Sequence, residues 1–72
     1  PGAVPVPAPL GGRLVSFEVQ PGEAVGERTP VAILEAMKME NELRAPSDGT
    51  VSAVLATPGA PVDKGAVLVQ LS

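Results

Sequence analysis

The sequence predicts a small all-β protein, a sandwich or flattened barrel assembled from two similar halves. Three observations carry this: short Val-rich runs punctuated by Pro and Gly, a gap-free internal repeat, and one lysine placed where the halves join. Laid over itself with a shift of 37 residues, the chain brings Ala8 and Pro9 onto Ala45 and Pro46, Gly12 onto Gly49, and Pro21 and Gly22 onto Pro58 and Gly59. Val25 falls on Val62 and Leu34 on Leu71, and conservative pairs such as Leu14 with Val51 and Phe17 with Val54 agree. Several of these matches are turn residues at equal spacing, as expected of two half-domains with one backbone.

Taken in order, the opening "PGAVPVPAP" favours extended, polyproline-like chain. Residues 1–4 are expected to be a linker remnant and 5–72 the domain, with Val4 and Val6 on an edge strand that tolerates proline. Because the sequence begins at Pro1 and not Met, it is expected to be a piece of a longer chain. Residues 12–19 and 49–55 read as strands, as do 30–36 and 66–71, with very short strands at Ala24 and Val25 and at Pro61 and Val62. Pro followed by Gly at 21–22 and 58–59 suits a type II turn, in which Gly supplies the positive φ. Further turns are expected at Gly26 and at Lys64 and Gly65.

The stretch "VAILEAMKMENELRA", residues 31–45, is free of Gly and Pro and made of good helix formers. The repeat overrides that preference. Residues 31–34 map onto "LVQL" and residues 43–46 onto "VPAP", which cannot be a helix interior. Two strands joined at Met37 and Lys38 make a β-hairpin. Its turn chemistry is poor, because tight two-residue turns need positive φ and prefer Asn-Gly. A local rule broken without structural gain points to function.

Composition excludes much else. Seventy-two residues make one domain near the lower size limit for a single apolar core. With no Cys, His, Tyr or Trp, the usual general bases, thiol nucleophiles and soft-metal ligands are absent, so neither an independent enzyme nor a metal site is expected. A net charge of −3 and a single aromatic, Phe17, argue against nucleic acid. No apolar run reaches membrane-spanning length, and no signal peptide is visible. The cysteine-free composition fits a reducing compartment, and the cytoplasm is the expected location.

The segment "EAMKME", residues 35–40, resembles the biotin-attachment signature of biotin carboxyl carrier domains, where Ala-Met-Lys-Met surrounds the modified lysine. "APLGGRLVSFEVQPGEAV" is similar to that family's opening strand and turn, and "APSDGTVSAVLATPGAPVDKGAVLVQLS" to its second half, so the resemblance covers nearly the whole chain. Leu10 stands where many relatives have Met. The resemblance implies two four-stranded antiparallel sheets with quasi-two-fold symmetry and the lysine on a hairpin tip. It implies covalent biotin on Lys38, with Met37 and Met39 as flanking recognition residues and Ala36, Glu35 and Glu40 completing the motif. The implied partners are a biotin protein ligase, which uses ATP, and the biotin carboxylase and carboxyltransferase sites between which the biotin ring carries a carboxyl group. An arm of about ten single bonds would reach roughly a dozen ångström and raise the carrier's effective concentration at both sites.

Alone, Lys38 would read as an ordinary solvated lysine. Motif and repeat position reverse that reading. Glu35, Glu40 and Glu42 crowd it in sequence and favour its charged form, which disfavours a Schiff-base role. The alternatives are a lipoyl carrier, which usually has Asp-Lys-Ala at the tip, and an unmodified structural module. The other lysine, Lys64, maps onto Glu27 and is expected in a turn far from the hairpin. There is no room between Phe17 and Pro21 for the "thumb" that some acetyl-CoA carboxylase carriers insert. The resemblance therefore favours a pyruvate, propionyl-CoA or similar acyl-CoA carboxylase, a decarboxylase or a transcarboxylase as parent.

Overall fold

A computed structural model describes residues 3–72, and every regular element among them is a strand. The strands are β1 (Val4–Pro7), β2 (Gly12–Phe17), β3 (Ala24–Val25), β4 (Pro30–Ala36), β5 (Met39–Arg44), β6 (Gly49–Val54), β7 (Pro61–Val62) and β8 (Val67–Leu71). Pro1 and Gly2, part of the expected linker, lie outside the described residues. Among the described residues no helix is long and apolar enough to cross a membrane.

Two four-stranded antiparallel sheets run β1-β8-β6-β3 and β5-β4-β2-β7. Adding 37 to the strands of the first half turns one sheet order into the other, so each sheet takes two strands from each half. The hydrogen bonds repeat in the same way. Gly22 N donates to Val51 O at 2.8 Å, and its counterpart Gly59 N to Leu14 O at 2.7 Å. Arg28 N donates to Ala45 O and Gly65 N to Ala8 O, both at 2.8 Å. These bonds cross from one half to the other, so neither half satisfies its backbone alone.

Gly22 and Gly59 have φ of 92° and 91°, the left-handed backbone that glycine adopts without steric cost. The turn expected at Gly26 falls one residue later, on Glu27 and Arg28, the counterparts of Lys64 and Gly65. Arg28 has φ 72°. Side chains replace glycine's freedom there. Thr29 Oγ1 accepts from Gly26 N at 3.0 Å, Asp48 Oδ1 from Glu27 N at 2.6 Å, and the Arg28 carbonyl from the Arg44 guanidinium at 2.8 Å.

The core between the sheets is apolar throughout and draws on both halves, with Leu14, Leu34, Val51, Leu68 and Leu71 among its fully buried side chains. The body is elongated, 34 × 17 × 17 Å. β1 begins opposite the end of β8, with Val4 paired to Leu71, and β6 begins at Gly49 beside Ser72. The β4–β5 turn lies at the other pole, where β2 begins at Gly12 beside Glu35 and Ala36. The two-fold that exchanges the halves exchanges these poles.

Candidate functional site

The stretch built of helix formers is a hairpin, with β4 and β5 in register from Ala36↔Met39 back through Glu35↔Glu40 and Leu34↔Asn41. Long-range pairing decides its conformation: β4 is bonded on its other side to β2, and Leu34 and Leu43 enter the core. Only Met37 and Lys38 remain for the turn. Both are left-handed, at φ 54° and 65°, as a type I′ turn requires of its two central residues. For side chains other than Gly, Asn and Asp this backbone is costly, and such strain persists only where the surroundings impose it.

The motif residues fall into two groups. Ala36 is buried at the end of β4, anchoring the hairpin to the core, whereas Met37, Lys38, Met39 and Glu40 are exposed. Met37 is 83% exposed and Met39 66%, the two most exposed large apolar side chains among the described residues. Burial elsewhere is efficient, so two thioethers left in water beside one amine stand apart from the rest of the surface.

The carboxylates do not surround the amine as their sequence spacing suggests. Glu35 Oε1 is 2.9 Å from the Arg13 guanidinium on β2, and Glu42 pairs with Arg44 two residues along β5. Among the described residues Lys38 forms no ion pair, and Glu40 faces solvent. The Lys38 amine thus stands exposed at the hairpin turn and, among the described residues, unpaired. An open groove of about 430 Å³ runs beside it, lined by Gly11, Gly12, Arg13, Glu35, Ala36 and Met37 as well as the lysine itself.

Lys64 lies at a turn of its own, between β7 and β8. Its turn packs on the β1–β2 loop: a Cβ on Gly11 would lie 3.8 Å from the Lys64 backbone nitrogen, and Gly11 also borders the Lys38 groove. Lys64 itself does not line that groove. Arg13, which holds Glu35, was missed; an exposed arginine in a strand carries no sequence signal for its partner.

A family model described as "Biotin-requiring enzyme" matches residues 4–71. The chain belongs to that family. A biotin carboxyl carrier protein of Streptococcus mutans is 43% identical over 93% of this chain and 52% of its own length. The mitochondrial propionyl-CoA carboxylase alpha chain of Homo sapiens is 41% identical over 89% of this chain and 9% of its own. The Kluyveromyces lactis urea carboxylase structure superposes with a TM-score of 0.94 at 26% identity, over all of this chain and 6% of that one. The chain thus spans about half of one curated relative and under a tenth of the other. The family is thus one of biotin-requiring proteins, and the relatives named here are a biotin carboxyl carrier protein and two carboxylases.

Proposed function

We propose that biotin is joined to Lys38 and that this domain carries a carboxyl group between the biotin carboxylase and carboxyltransferase sites of a longer biotin-dependent enzyme. The observation that carries the reading is the exposed Lys38 amine, unpaired among the described residues, on a turn whose two central residues are both left-handed without being glycine. A cofactor that ends in a carboxyl group and is held by an amide needs a primary amine free of internal partners and open on all sides, and Lys38 fits. Bound biotin would supply a ring that takes up and releases a carboxyl group.

The chain's own part is presentation. The Lys38 amine attacks the activated carboxyl carbon in the ligase site; a C–N bond forms, the nucleotide leaves, and the nitrogen loses its proton. Met37 and Met39 offer the ligase an adaptable apolar contact, with Glu35 and Glu40 as the polar rim. Ala36 roots the turn in the core. The six residues between β2 and β3 leave no room for an inserted thumb, which supports an acyl-CoA or pyruvate carboxylase, a decarboxylase or a transcarboxylase as parent. The cytoplasm as its place rests on the cysteine-free composition alone.

The test is mass spectrometry after incubation with biotin protein ligase, ATP and biotin. One biotin adduct is expected on the parent chain and none on Lys38→Arg, whose guanidinium stays protonated and cannot attack. The variant should lose no more than about 0.5 kcal/mol of stability, because an exposed tip packs against little. An adduct on Lys38→Arg would move the attachment, with Lys64 the first place to look; a lipoyl adduct on the parent would convert the reading to the lipoyl carrier.

A further inference from the structure

Gly12 opens β2 against the base of the hairpin. It is not there for its backbone freedom, since the glycines at positive φ are Gly22, Gly59 and Gly65. It is there for space. A Cβ on Gly12 would collide with the Glu35 carbonyl oxygen and press on the Ala36 Cβ at 3.1 Å. The obstructing atom is backbone, so no rotamer change relieves it, and β2 and the end of β4 must part. The next residue, Arg13, holds the same Glu35 by its side chain at 2.9 Å. Glu35 is thereby seated through its main chain and its carboxylate, with only Ala36 and Met37 between it and Lys38. The turn residues have no intrinsic preference for their left-handed backbone. Where the lysine sits is therefore set by the strand end that Gly12 admits.

We propose that Gly12 is a positioning residue for Lys38, its missing side chain fixing where the ligase finds the amine. This rests on Lys38 being the attachment site. The repeat supplies an internal control. Gly49, the counterpart of Gly12, opens β6, and a Cβ on it would lie 2.9 Å from the Ser72 carbonyl oxygen and 3.5 Å from the Leu71 Cβ. The same kind of close approach thus occurs at the opposite pole, where no modified residue follows. Gly49→Ala strains the fold without touching the hairpin.

The experiment compares the parent, Gly12→Ala and Gly49→Ala in this chain, well below each melting temperature. Initial biotinylation rates by ligase, with biotin and ATP, are read by mass, together with the amide chemical shifts of residues 36–39. Misplacing a reacting group by an ångström costs one to two decades in rate, so Gly12→Ala should lower kcat/KM about tenfold or more and Gly49→Ala by less than about twofold. Amide shifts at 36–39 should move in the first variant alone. If Gly12→Ala does not fold, the same readouts are taken in an Arg28→Gly background, which relieves a strained turn elsewhere. A parent chain that accepts no biotin would sink the Lys38 assignment. A parent that is modified while folded Gly12→Ala matches it, or while both variants slow equally, would overturn the positioning role alone.

Discussion

The two halves share a backbone, and they differ most where backbone freedom is demanded. At the Pro-Gly turns both keep glycine, with φ of 92° and 91°. At the next turn the second half has Gly65 at 89° and the first has Arg28 at 72°. Side chains are bonded around the Arg28 turn, Thr29 from its own half and Asp48 and Arg44 from the other. Left-handed backbone is thus met in two ways, by glycine or by a ring of polar side chains. The hairpin at Met37 and Lys38 uses neither, and it is the segment to which function is assigned.

The comparison can be broken most severely in the core. Leu34 and Leu71 are counterparts and both fully buried, so Leu34→Ala and Leu71→Ala should each cost about 3 kcal/mol in urea unfolding. If Leu71→Ala cost less than half of Leu34→Ala, the halves would not share the core equally. Next come Gly22→Ala and Gly59→Ala. Added methyls would meet nothing within 4 Å, so the whole cost is backbone, about 1–2 kcal/mol and the same in both. Unequal values would mean that the matching φ angles hide different turns. In the hairpin, Met37→Asn with Lys38→Gly installs the residues the turn prefers and should gain about 1 kcal/mol while abolishing biotinylation. No gain would show that the native turn carries no strain. The smallest effect is expected of Arg28→Gly, where relief of the left-handed arginine slightly exceeds glycine's greater unfolded-state entropy, a gain of about 0.5 kcal/mol by thermal melting. A loss would mean that the polar ring prefers the arginine conformation.

The strands were legible because their signals are local and duplicated. Gly12 and Gly49, the Pro-Gly turns and the Val-rich runs sit at equal spacing, and the repeat corrected the helix propensity of residues 31–45. The turn at Glu27 and Arg28 was misplaced by one residue because its glycine is not the residue that turns; Thr29 and Asp48 hold it, and Asp48 is distant in sequence. The position of Lys38 at the hairpin turn, with Met37 and Met39 on either side, was legible from the repeat. The Arg13–Glu35 pair and the approach of the Lys64 turn to Gly11 were not, because both depend on which elements meet at one pole.

The placement of the poles has a mechanical consequence. Val4 and Leu71 lie together at the end opposite Lys38, so any chain continuing from either side would leave from the far pole. On the proposed function the domain would act as a rigid boom, with its pivot at one end and Lys38 at the other. Flexible flanking residues add only about 5–6 Å times the square root of their number, whereas the body contributes its full 34 Å of length without any entropy of its own. A modest rotation about that pivot would carry the tip as far as a modified lysine arm could stretch, leaving coarse travel to the barrel and only the final approach to the arm.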